Sequence, residues 1–484
     1  MTPEPSAARL GPAIKLGYGI GCIAYSLPYQ VLASVFLFFA TVILGIPPLW
    51  AGVIIAISAV WDAVSDPLMG AISDYTVNPR LGRRHPYLLA GGILVAVLTW
   101  GMWSIDAGAS VTVKTLLLFG CVLLLKTALT VYVAPYNALG GELSTDYDER
   151  SSIQSYRALF YLSGMILALV GSNMWFFRST PEYPKGQLNP AAYPAMGLTF
   201  ALIALAAALV TLVSTRHFIP SLAKRTPFES SGKIGPKSFH RDLKNASTNR
   251  DFVALAAMIF VIEVGFQIGI AMGFHVNTYT YELPGPIIGL LGLIVLGSSI
   301  ISQPFWVWFS GRYDKKNALW LGLVLGLSGF IGGPFTHIFW GFFPLDVATL
   351  PYSLGVFMIL AGLGNGAFMS IPYAMVADAV DANELETGTR DEGLYFGLYT
   401  FAYKLGTSIS LVGSGIVLHL IGFSAKSPEQ GEATRYWLAM TPAWLLILTV
   451  PLVAFTLRRY SIDRDRQHEI RRLIEERGET PPCS

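Results

Sequence analysis

Two carboxylates, Asp62 and Asp66, stand four residues apart inside the apolar stretch WDAVSDPLMG. On a helix that spacing puts them on one face, one turn apart. A carboxylate inside a membrane span is costly, so it faces a polar interior and marks an ion or substrate path. The chemistry on offer is cation ligation or proton exchange. A sodium ion needs several oxygen ligands; Asp62 and Asp66 would then be its metal ligands, helped by the hydroxyls of Ser65 or Thr130. Proton coupling needs only one carboxylate of raised pKa, which burial provides. The residues themselves leave both ions open.

Further polar residues interrupt other apolar runs. Lys126 lies in LLLLKTALTVYVAP, too deep for its ammonium to reach an interface by snorkelling, so it is expected to face a cavity. It precedes Val133 by two turns, and both point the same way. There it would serve as counter-charge to the acid pair or as anchor for an anionic substrate. Glu263 and Gln267, in IEVGFQ, share a helix face and mirror Ser26 and Gln30 of the first half. They are expected to bind substrate or to hydrogen-bond between helices. Lys404, in LYTFAYKLGTSIS, suits a structural ion pair as well as a substrate contact. Tyr25, Tyr29, Tyr136, Trp306 and Tyr373 are candidates for stacking on a sugar ring, whereas most tryptophans read as interfacial anchors. Asp74, Arg83, Arg84, Glu142, Asp148, Arg150, Asp378 and Asp381 are expected to form ion pairs that gate the cytoplasmic side.

The elements that position these groups follow from composition. Hydrophobic residues make up 53% of the chain and charged residues 13%, with a mean hydropathy of +0.52. Soluble domains carry about 25% charged residues, so this is a polytopic membrane protein. Runs of about 20 apolar residues, the length of a spanning helix, fall near 15–43, 49–73, 86–104, 112–138, 152–176 and 194–215, then 252–277, 286–310, 317–337, 350–378, 393–421 and 434–457. The domain reading is an N-terminal six-helix half over about 1–217, a cytoplasmic middle loop over 218–250, a C-terminal half over 251–457 and a cytoplasmic tail over 458–484. Lys and Arg concentrate in alternate loops, which places both termini in the cytoplasm. The tail, with Ile462, Ile470 and Leu473 at helical spacing, reads as an amphipathic helix on the inner face.

The halves repeat. Asp66-Pro67 matches Gln303-Pro304, Pro135-Tyr136 matches Pro372-Tyr373, and Gln30 matches Gln267, all at one offset. Two parallel repeats imply a substrate site between them near the midplane; major facilitator transporters are the worked example of that rule. Cys22, Cys121 and Cys483 suggest neither disulfide nor zinc site. MTPEPSAARLGP shows no removable signal peptide. With no GxxxxGK[ST] phosphate loop and no catalytic set, the chain is expected to be no enzyme, to need no cofactor and to bind no nucleic acid.

KLGYGIG, WDAVSDPLMG, LGRRHPY, APYNALGGEL, DERSSIQSYR and TFAYKLG together resemble the glycoside–pentoside–hexuronide:cation symporter family, that of melibiose permease, within the major facilitator superfamily. The resemblance covers nearly the whole chain. It implies an all-α membrane protein of twelve transmembrane helices in two pseudo-symmetric six-helix halves, the major facilitator fold. It assigns cation coupling to Asp62 and Asp66, and carries the family's fifth-span arginine onto Arg157 and its eleventh-span lysine onto Lys404. Two sugar-contacting acids of melibiose permease fall on Ser26 and Val133, and a nearby tryptophan on Asn137. The cation half of the site is retained and the galactoside half is not. The expectation is a proton- or sodium-coupled symporter for a sugar, glycoside or uronide, a monomer in a bacterial inner membrane. The alternative is a symporter of lysophospholipids or other amphiphiles, with the same fold. A non-transporting sensor would need an output domain, and a membrane glycosyltransferase would need acidic outer loops; the chain offers only a short tail and short, acid-poor loops.

Overall fold

The computed structural model describes residues 10–76, 78, 81–144, 146–220, 246–338, 350–388, 392–424, 427 and 429–479. The middle-loop cations Lys224 to Lys244, Arg80, Cys483 and the side chains of Asp74 and Asp148 lie outside the described residues.

The described residues form helices and connecting turns, with no strand among them. In order they are α1 (Pro12–Ile43), α2 (Pro48–Tyr75), α3 (His85–Trp103), α4 (Val111–Glu142), α5 (Tyr147–Ile166, extended by a wider-wound Leu167–Phe176) and α6 (Ala192–Thr215). Then come α7 (Arg250–His275, with Val276–Thr280), α8 (Gly285–Ile301 and Gln303–Tyr313), α9 (Lys315–Ile338), α10 (Leu350–Thr387), α11 (Glu392–Leu420), α12 (Glu432–Arg459) and α13 (Arg464–Glu479). Among the described residues eleven helices are long and apolar enough to span a bilayer, and α8 makes twelve when its two pieces, bent by 44°, count as one. The bend falls before Pro304, which has no N–H to give the preceding turn.

The helix starts are written in the sequence. Prolines open α2 and α3, where an N–H would find no partner anyway. Asp146 caps α5 by accepting from Glu149 N at 2.9 Å, and Asn249 caps α7 from Phe252 N at 3.0 Å. α1 is broken at Gly21-Cys22.

Two compact units emerge. The first comprises Met1–Ser231, Asn277–Leu290 and Leu418–Gln430; the second comprises Gly232–Val276, Leu291–Val417 and Gly431–Ser484. In the first, α2 and α3 both pack on α4, α3 also on α6, and α1 on α5 and α6. A Cβ at Gly91 would lie 2.9 Å from Tyr132 N, so only glycine lets α3 and α4 approach that closely. In the second, α9 lies along α10 and α7 along α12. The tail joins this core: Ile462 and Ile470 are buried and Ile474 packs beside them.

Candidate functional site

The acid pair sits at mid-helix. Asp62 is about 20 Å from either end of α2, and Lys126 holds the same position in α4, at 1.5 Å per residue. Because α3 returns between them, α2 and α4 run in the same direction. Residues four apart on one therefore meet residues four apart on the other. Lys126 Nζ donates to Asp62 Oδ2 at 2.7 Å, and one turn on Thr130 Oγ1 donates to Asp66 Oδ1 at 2.7 Å. Ser65 Oγ lies 3.5 Å from Thr130 Oγ1, and Trp61 Nε1 donates to Thr127 Oγ1 at 2.8 Å. The ammonium is 4.9 Å from the Tyr29 ring centroid, a cation–π contact. Lys126 and Asp62 side chains keep only 12% and 22% of their exposure, so the pair is weakly screened. Ser65 and Thr130, the hydroxyls considered as sodium helpers, thus lie beside the acids, but so does a lysine.

A polar aromatic surface adjoins this ladder. Gln30 Nε2 donates to Tyr161 Oη at 3.0 Å, Tyr25 lies 6.0 Å from Tyr161, and Cys22 Sγ donates to Tyr25 Oη at 3.2 Å. Arg157 stands on α5 within electrostatic reach of Tyr25, Tyr18, Cys22 and Tyr136. It donates to Gln154 Oε1 at 2.9 Å, and among the described residues no carboxylate pairs with it.

Three expected contacts turn out otherwise. Tyr136 is fully buried, stacked on Tyr18 at 4.6 Å and on Tyr132 at 5.7 Å. Its hydroxyl donates to Tyr18 O at 2.9 Å, while Tyr132 Oη donates to Gly21 O at 3.0 Å. These phenols add a second hydrogen bond to carbonyls that already accept from Gly21 N and Ala24 N at the break in α1, so Tyr136 is committed to packing and offers no face to a sugar. Trp306 is likewise buried, its indole spent on Leu363 O at 2.9 Å. Ser26 has no exposure and sits in the α1–α5 seam against Gly164, which removes it from any solute-facing surface. Asn137 and Tyr373 remain exposed. Tyr18, Tyr132 and Tyr161 were missed by sequence reasoning. The four-residue spacing of Tyr132 and Tyr136 was the available signal.

In the second unit, Glu263 is buried at 8% exposure and accepts from Gln267 Nε2 at 2.9 Å and Thr407 Oγ1 at 3.4 Å. Ser410 Oγ donates to Val264 O at 2.9 Å, so the same patch ties α7 to α11. Lys404 lies exposed on α11.

The loop charges gather at the helix ends. Arg83 Nη2 and Arg84 Nη2 both reach Glu142 Oε1, at 2.8 and 2.7 Å, and Arg84 Nη1 donates to Ser73 Oγ at 2.6 Å. Arg150 is exposed and donates to Ser144 O at 2.8 Å. In the second unit, Asp378 pairs with Lys315, and Asp381 accepts from Gln467 Nε2 of α13 at 2.8 Å.

The two mid-helix carboxylates thus face a lysine, a threonine and a tyrosine ring. The MFS/sugar transport protein family matches residues 17–464, and the chain belongs to that family. It is 25% identical to an uncharacterized symporter of Synechocystis sp., over 99% of both chains. It is 23% identical to the human sodium-dependent lysophosphatidylcholine symporter 1, over 98% of this chain and 90% of that one. Among solved structures it resembles a nucleoside transporter (TM-score 0.64, 14% identity, 92% and 99% covered) and a D-xylose–proton symporter (TM-score 0.60, 12% identity, 93% and 97% covered). The fold is therefore that of major facilitator transporters, with eleven to twelve membrane-length helices among the described residues.

Proposed function

We propose that this protein is a cation-coupled symporter that takes up a sugar, glycoside or uronide by alternating access, in a bacterial inner membrane with both termini cytoplasmic. The observation that carries this reading is the Asp62–Lys126 and Asp66–Thr130 ladder at mid-helix. Two carboxylates held there with one ammonium leave one negative charge to be compensated. A coupling cation supplies the compensation and organises the neighbouring surface for substrate. A carrier that holds substrate without the cation keeps an uncompensated buried charge, which is costly, and so resists turning over. That restriction is the coupling, and no enzymatic step enters it.

Within the substrate class, Arg157 favours a uronide or other acidic sugar. A guanidinium binds a carboxylate in a bidentate, charge-assisted manner, and Tyr25 and Tyr161 supply ring faces beside it. A second reading, a lysophospholipid symporter, is favoured by the full-length similarity to lysophosphatidylcholine symporters. A phosphate would use the same arginine. The deciding experiment is uptake into proteoliposomes under imposed proton or sodium gradients, with sugars, uronides and lysophospholipids in competition. Accumulation of none of them above the equilibrium level would overturn the symporter reading.

A further inference from the structure

We propose that Lys126 is a built-in cation: its ammonium occupies the Asp62 ligand that a sodium ion would need, and so makes this transporter independent of sodium. The inference rests on the symporter reading above.

A sodium ion sheds its water only for several oxygen ligands at once. The described residues hold no group of three or more His, Cys, Asp or Glu able to hold a metal. A sodium site at α2 would therefore draw on Asp62 and Asp66 together, with hydroxyls completing the shell. Asp62 Oδ2 already accepts from the lysine at 2.7 Å, and Asp66 Oδ1 already accepts from the Thr130 hydroxyl at 2.7 Å. A metal reaching both acids would sit within about 4–6 Å of the ammonium, the range in which like charges strongly oppose one another.

The lysine has nowhere better to go. Leu125, Ala128 and Leu129 beside it on α4 are buried, so its backbone is fixed in the helix packing. The Tyr29 ring lies under the ammonium at 4.9 Å, and Trp61 pins the neighbouring Thr127 from α2. Withdrawing the lysine would strand Asp62 and place an ammonium among apolar side chains. The residues here do not fit sodium. The coupling ion left to the reading is the proton, taken up and released once per cycle.

The test is sodium itself. Purified wild-type protein in nanodiscs is titrated with sodium chloride against choline chloride, by calorimetry and thermal unfolding. Uptake is measured in the same two salts. Wild type should bind no sodium, and uptake should change less than about twofold between salts. Lys126→Ala and Lys126→Gln should acquire sodium binding and a sodium stimulation of uptake of about tenfold or more. Lys126→Arg keeps the charge and should stay indifferent. Saturable sodium binding by the wild type overturns the proposal. So does the absence of sodium binding in folded Lys126→Gln. If neither gradient drives uptake, the symporter reading fails, while the binding titrations still decide the role of Lys126. If both neutral variants misfold, wild type and Lys126→Arg decide alone, since saturable sodium binding by either overturns the proposal and its absence from both supports it.

Discussion

Asp62 and Asp66 have the same side chain but different partners, and substitutions should separate them. Asp66→Asn should abolish accumulation against a gradient while leaving exchange of bound substrate measurable, because accumulation needs the ion and binding alone does not. Wild-type accumulation by this variant would remove Asp66 from coupling. Asp62→Asn should strand the Lys126 charge. Breaking one partner of a buried pair costs about 3–5 kcal/mol, whereas replacing both is close to neutral. Asp62→Asn should therefore lower thermal stability more than the Asp62→Asn, Lys126→Gln double variant does. Equal losses would show that the pair is not coupled. Arg157→Gln should weaken binding of acidic substrates by about tenfold to a hundredfold, the worth of about 1.5–3 kcal/mol for a hydrogen bond to a charged group. Neutral sugars should be affected less. A uniform loss across both classes would instead assign Arg157 to packing.

Among the helices, α2 is held to its neighbours at two levels. At mid-height the ladder fixes it to α4. At its end Arg84, only 4% exposed, bridges Ser73 of α2 and Glu142 of α4, with Arg83 sharing the same carboxylate oxygen. These contacts brace the α2–α3 turn, where Gly82 takes a positive φ of 65° that most side chains avoid, and a latch there is the expected role. Arg84→Ala should thus slow transport more than it weakens equilibrium substrate affinity, as read from initial rates and binding isotherms. Loss of affinity at unchanged turnover would contradict the latch. α1 shows the complementary device, a helix interrupted at Gly21-Cys22 where the Gly21 and Tyr18 carbonyls also accept from Tyr132 and Tyr136 of α4.

Taken whole, the first unit extends beyond the first six spans and includes Asn277–Leu290. Gln187, fully buried in the α5–α6 connection, donates to Thr278 Oγ1 at 3.1 Å and to Leu283 O at 2.9 Å, and Lys185 Nζ donates to Thr278 O at 3.1 Å. These bonds secure the Asn277–Leu290 segment within that unit. Removing them should loosen the Asn277–Leu290 segment. Gln187→Ala should make a cysteine placed at Thr278, in a background lacking the native cysteines, react faster with a water-soluble thiol reagent. Unchanged labelling would show that the segment does not open there.

The sequence alone determined the spans and the shared face of Asp62 and Asp66. Apolar run length and the 3.6-residue period are local properties, and the cost of charge in a bilayer needs no partner to be felt. The sequence also put Lys126 at the right depth to meet an acid. It could not say which acid, because that depends on the register of α2 against α4, seen in cross-helix contacts such as Trp61 with Thr127 and Ser65 with Thr130. The same limit explains Tyr136 and Ser26. Each shares a helix face with candidate site residues, yet the close approach of α1 to α4 and α5 turned both into packing. Gln187 gave no signal at all, since its partners lie some ninety residues away in a turn. What the tertiary structure decided was which polar groups meet across helices, and that choice is made by the summed packing of many apolar side chains.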